Sequence, residues 1–198
     1  LFRNFKFRRA LSHSLNRKAI ARSVVKGPFL RPFAGGLTPG SLYFDEDSVV
    51  YYDYDPASSN QLLDELGLKD TNGNGIREWT SGPMKGKELV FELITNTGAV
   101  ATQHVADTVL SLFSEIGIKV NPRPIPDASA AQESGEFEMM VIRSGQEYAV
   151  PYAKYSDLAA LQNNTPTWHR TGSKGRELMP FEKKLVSIVK DFSMEPDF

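Results

Sequence analysis

Apolar residues recur along this chain in two rhythms, every third or fourth position in some stretches and every second in others. Phe5, Phe7, Leu11 and Leu15 interleave with Arg8, Arg9 and Arg17 at near-helical spacing, and Asn16 is placed to cap the run Arg17-Lys18-Ala19-Ile20. Residues 5–26 therefore predict two short helices meeting near Asn16. From Gly27 to Asp47, three prolines and four glycines break any period and predict an irregular loop. Asp55 is a good N-cap and Pro56 suits the first helical position, where its missing N–H costs nothing. Leu62, Leu63 and Leu66 supply a buried stripe, and Gly67 stands where such a helix stops.

Residues 88–95 alternate, with Leu89, Phe91 and Leu93 on one face and Val90 and Ile94 on the other. Both faces are mostly apolar, which predicts a central buried strand. Val100, His104, Val105, Val109, Leu112, Phe113 and Ile116 then follow at spacings of three and four, the best-formed helical pattern in the chain. Gly117 ends it, and Ile118 and Val120 begin the next strand. Strand, helix and strand in that order make a βαβ unit, which is parallel in nearly all cases. Residues 137–143 predict a third strand, residues 144–177 show no clear period, and Phe181, Leu185, Ile188, Val189 and Phe192 predict a last helix ended by Pro196. No internal repeat interrupts the series.

Composition adds limits. With 198 residues and 40% hydrophobic content the chain can bury an ordinary core, as one large domain or two small ones. It has no cysteine, which excludes a disulfide framework and thiolate metal sites. Residues 1–44 carry nine Lys/Arg and no Asp or Glu. Such a start suits a transit peptide or a nucleic-acid arm, but its interleaved apolar residues fit a folded amphipathic helix better, and no nucleic-acid partner is expected.

Four segments occur in a telling order: Arg8-Arg9-Ala10-Leu11-Ser12 running to Ile20, Tyr54-Asp55-Pro56 running to Gly67, Asp70-Thr71-Asn72-Gly73-Asn74-Gly75-Ile76-Arg77-Glu78, and the βαβ pattern. Together they resemble the family 5 extracytoplasmic solute-binding proteins, the peptide- and nickel-type receptors of ABC importers. The likeness runs from about Phe5 to Val141 and resumes near Pro180 to Asp197. It implies an α/β fold, a type-2 periplasmic-binding-protein lobe whose mixed sheet contains a βαβ unit with flanking helices. The family's mature proteins are more than twice this long, so residues 1–198 are expected to be a single excised lobe. The implied setting is periplasmic or extracytoplasmic. The implied partners are a small solute, held between two lobes, and a membrane permease. Oligopeptide leads as the solute and oligosaccharide follows; a sensor or protein-interaction lobe is the alternative outside transport.

Catalytic spacing is missing. His13, His104 and His169 are scattered with no HExxH pair, and His104, inside an apolar pattern, reads as a core or edge residue. No GxSxG elbow exists. Residues 82–87 are one residue short of a P-loop, and they precede a strand where a P-loop follows one. Asp45, Glu46 and Asp47 read as a solvated loop. No enzyme is expected. Asp70, Asn72, Asn74 and Gly75 match the first six positions of a calcium loop, and Glu78 at position 9 is a further candidate ligand. Position 12, however, is Ser81 where a bidentate Glu is needed. A self-bonded turn is the preferred reading, with calcium the alternative and no other cofactor expected.

Binding is expected at the carboxyl ends of the strands, where open α/β sheets take ligands. Asn96 and Thr97 follow the first strand at a helix start, whose free N–H groups favour anions or carbonyl oxygens. Gln146, Glu147 and Tyr148 follow the third strand, and Trp168 lies in a turn-rich stretch where it would stack on a ligand or pack the loop. The resembled family carries a "WxxDYxDP"-like stretch after that strand. Here its Trp is absent and Glu147-Tyr148 with Pro151 fits only loosely, which leaves the ligand class open.

Overall fold

A computed structural model describes residues 1–24, 39–42, 44–141, 159 and 178–194. Helix α1 (Phe5–Ser14) opens on Asn4, whose side chain accepts from the N–H groups of Lys6 and Phe7. Helix α2 (Arg17–Val24) starts behind Asn16, which accepts from Ala19 N–H at 3.0 Å, so the predicted pair of helices is present. The basic side chains here are largely spent on structure. Arg8 donates to the carbonyls of Phe2 and Arg3, Arg17 to those of Ser12 and Tyr52, and Lys6 pairs with Glu65 at 2.8 Å.

Helix α3 (Pro56–Glu65) has Asp55 as its N-cap and Pro56 in its first turn, and Gly67 behind it takes φ +72°, open to glycine at no steric cost. Its buried Ser59 donates to the Ala10 carbonyl at 2.8 Å, and Asp55 N–H donates to His13 O at 2.8 Å, which lashes α3 to α1. Strands β1 (Leu68–Lys69) and β2 (Glu78–Trp79) form an antiparallel pair whose tip is the Asp70 loop.

Strand β3 (Val90–Asn96), helix α4 (Val100–Ser114) and strand β4 (Lys119–Ile125) make the expected βαβ unit, parallel from Val90↔Lys119 to Asn96↔Ile125. After helix α5 (Ala128–Ser134), strand β5 (Met139–Met140) adds to the other side of β3, also parallel, giving the order β4-β3-β5. The predicted third strand is thus seen over its middle, extended by Val141 N–H donating to Ile94 O; residues 142–143 lie outside the described residues. The α/β class holds, with one difference in detail. The parallel and antiparallel strands form two separate sheets among the described residues, where one mixed sheet was expected.

As the centre of its sheet, β3 buries Leu93, Ile94 and Thr95 in succession, on both faces, while Val90 at its start is 37% exposed. Two-faced burial therefore belongs to the second half of the strand. Phe7, Leu63, Leu68, Leu89, Phe113 and Ile118 anchor one continuous core, and Phe2, Phe7 and Phe91 stack beside it with centroids 5.1–6.2 Å apart. In β4, Lys119 N–H donates to Leu89 O and Ile125 O accepts from Thr97 N–H, so odd-numbered residues face β3. Pro122 and Pro124 therefore turn their N–H-less nitrogens away from the ladder, the place where a strand tolerates proline.

The chain divides into two compact units. The first comprises residues 1–32, 51–128 and 137–143 and holds the elements above, apart from most of α5. The second comprises residues 33–50, 129–136 and 144–198. It includes helix α6 (Pro180–Ser193), where Glu182 reaches back to Met179 N–H at 2.6 Å and Val189 is buried. The last helix is as predicted; Pro196 lies outside the described residues.

Candidate functional site

The carboxyl ends of three parallel strands meet on one edge of the sheet, and Asn96, Thr97, Ile125 and Val141 mark it. Thr97 N–H donates to Ile125 O at 3.0 Å, which closes the gap between β3 and β4 and leaves the Thr97 side chain exposed. Ala99 precedes α4 and provides no side-chain cap, and the first turn of α4 carries no acid. Among the described residues, then, no side-chain cap or first-turn acid compensates its amide N–H groups and partial positive charge. Val100, which the helical stripe predicts as a packing residue, is 61% exposed in the first turn of α4. His104 is likewise exposed, which corrects the core alternative for that residue.

Asn96 occupies a different role. Its Oδ1 accepts from Ala128 N–H at 2.7 Å, so the side chain joins the end of β3 to the start of α5. Gln103, which the sequence pattern did not single out, donates from Nε2 to the carbonyls of Thr97 at 2.8 Å and Asn96 at 3.3 Å. Its position one helical turn inside α4 is the signal that would have found it, since side chains there fold back over the preceding loop. Asn96 and Thr97 are thereby brought to one edge. Gln146, Glu147, Tyr148, Trp168 and His169 lie outside the described residues.

The Asp70 loop bonds to itself. Asp70 Oδ1 accepts from Gly73 and Asn74 N–H and Oδ2 from Gly75 N–H, at 2.7–3.2 Å. The bond from Gly75 is the chief cause holding the Asp70 carboxyl below its ordinary value, with Gly73 and Asn74 adding to it. Asn72 accepts from Asn74 N–H and Asn74 from Ile76 N–H, at 2.9 and 2.8 Å. Glu78, buried at the base, accepts from both the N–H and the hydroxyl of Thr71.

Beyond it Arg77 spans three elements. It pairs with Asp64 at 2.6 Å and donates to Asn60 Oδ1, to Leu68 O and, from Nε, to Ile116 O. Asp64, Lys69, Asp70, Arg77 and Glu115 line an open cleft of about 540 Å3 at the amino-terminal edge of the strands, the edge opposite to Thr97.

Among the described residues no group of three or more His, Cys, Asp or Glu is placed to hold a metal ion. Among the same residues no helix is long and apolar enough to cross a membrane. His13 Nδ1 lies 2.9 Å from Asp53 O, and its ring stacks edge-on against Tyr52, a packing role.

Comparison with known proteins adds to this geometry. The family described as bacterial extracellular solute-binding proteins, family 5 Middle, matches residues 1–166. The periplasmic alpha-galactoside-binding protein of Rhizobium meliloti is 32% identical over 201 residues, covering 100% of this chain and 29% of its own length. The oligopeptide-binding protein AppA of Bacillus subtilis is 29% identical over 147 residues, covering 72% of this chain and 26% of its own length. Among solved structures, the periplasmic binding protein MelB of Agrobacterium fabrum C58, in complex with stachyose, superposes with a TM-score of 0.91 at 32% identity, over 98% of this chain and 30% of that one. The chain spans less than a third of the length of these relatives.

Proposed function

The chain belongs to the bacterial extracellular solute-binding proteins of family 5, an extracytoplasmic family, and from that premise we propose that it is part of the receptor of an ABC importer. The receptor captures an oligosaccharide between two lobes and delivers it to a membrane permease. Its work is capture and release, without catalysis. The observation that carries the sugar reading is the 0.91 superposition, at 32% identity and nearly full coverage of the chain, on a protein solved with stachyose.

The rim of the sheet fits that cargo. Free amide N–H groups of α4 and the Thr97 hydroxyl are neutral polar groups of the kind that bond sugar hydroxyls, and the exposed Val100 offers an apolar patch for the face of a ring. Asn96, through Ala128, holds the rim in shape. Gln146, Glu147, Tyr148 and Trp168 are proposed to complete the contacts, the two aromatic rings by stacking. Hinge closure then traps the solute, each lobe supplying one wall.

An oligopeptide is the second reading, favoured by the match to AppA. The full-length protein tested by thermal shift against stachyose, raffinose and a set of short peptides separates the two. A rise in melting temperature with the galactosides, growing with concentration as mass action requires, is the expected result. A rise with peptides alone would replace the sugar reading.

A further inference from the structure

The Asp70 loop contains one group that a self-bonded turn leaves unexplained. Glu78 is 4% exposed, and its Oε2 is buried with no hydrogen-bond partner. Thr71 takes the other oxygen with two donors, which fastens the carboxylate to the second residue of the loop. A buried carboxylate oxygen without a donor is costly, and the nearby guanidinium of Arg77 is already committed to Asp64, Asn60, Leu68 and Ile116.

The acceptors around it have capacity left. A carboxylate offers about four lone-pair sites and an amide oxygen two. Asp70 accepts from three N–H groups at 2.7–3.2 Å, and Asn72 and Asn74 accept from one each, so each amide oxygen keeps a site for a further partner. All of these atoms are oxygens, the ligand set of a hard cation. Magnesium demands near-ideal octahedral geometry, whereas calcium accepts irregular sets of carboxylate and amide oxygens.

We infer that Asp70, Asn72, Asn74 and Glu78 form a calcium site, with the free Glu78 oxygen as a ligand. Two carboxylates and two neutral amides are a low charge count, which places the affinity in the range of extracellular modules, with a Kd of roughly 10⁻⁴–10⁻³ M. The site lies at the hairpin tip and is independent of the cargo.

The test uses terbium as a calcium surrogate on the full chain with Trp168→Phe, which leaves Trp79, the residue after Glu78, as the only tryptophan to sensitise emission. Emission should appear and be displaced by millimolar calcium but not by the same magnesium. Glu78→Gln should abolish it. Because that variant removes a buried group and may unfold, Asn72→Asp provides a second arm. It adds a charge at the third loop position, on an exposed residue, and should tighten calcium about tenfold. Emission that calcium does not displace, no emission at all, or an Asn72→Asp variant with unchanged calcium dependence would each overturn the site.

Discussion

Arg77 binds helix α3, strand β1 and the end of α4 through one guanidinium, only 11% exposed. Its backbone joins in, with N–H donating to Gly117 O and the carbonyl accepting from Leu89 N–H. Gly117 takes φ +76°, and a Cβ there would stand 2.8 Å from Arg77 Cγ, so the close approach and the left-handed backbone both require glycine. Arg77→Met should cost about 2–4 kcal/mol in urea unfolding, because it removes the guanidinium donors to Leu68 O, Ile116 O and Asn60 Oδ1 at a part-buried site. Arg77→Lys should recover only a small part, since one ammonium cannot replace a planar fork. An Arg77→Met protein with wild-type stability would remove the staple from this account.

The neighbouring turn was legible because Asp, Asn and Gly bond locally. The reach of Arg77 was not, since its acceptors lie between 9 and 39 residues away.

Elements with local punctuation were read well from the chain. Asn16, Asp55, Gly67 and Gly117 mark starts and stops within a few residues, and the structure places the helix boundaries beside them. Exposure along α4 was not readable in the same way. The apolar stripe says which face packs but not where along the helix the packing begins, so Val100 and His104 look buried in the pattern and are open in the fold.

The cap of α3 carries a pH signature. Hydrogen bonds from the Ser58 hydroxyl, then from its N–H, hold Asp55 below its ordinary value of 3.8. A depressed carboxylate stabilises the fold above its unfolded pKa, and that contribution is lost as pH falls through the folded value. Asp55→Asn keeps an acceptor for Ser58 N–H but cannot titrate. Between about pH 5 and pH 2 the native protein should therefore lose more unfolding free energy than the variant does. Parallel acid limbs in the two proteins would contradict the role given to the cap.

At the scale of the whole molecule, the fold class and the order of its parts were visible in four short segments, whereas the cargo was not. The proposed binding edge lies in loops after strands, and the distinguishing residues expected there, Gln146 to Tyr148 and Trp168, fall where the apolar rhythm fades. A groove shared between two lobes, as proposed above, would leave no complete imprint in a chain that spans 29% of a relative's length. If this chain supplies one wall of the proposed groove, stachyose should give it no measurable rise in melting temperature at concentrations that shift the full-length protein. An equal shift in both would mean that a single wall suffices.

The two prolines of β4 bear on how this sheet can grow. A newcomer strand seeking partners along that flank would find missing donors at alternate positions, while the flank beyond β5 has no such bar. Any further strand is thereby steered one way, outward past Met139 and Met140, so the barren flank gives the sheet its polarity.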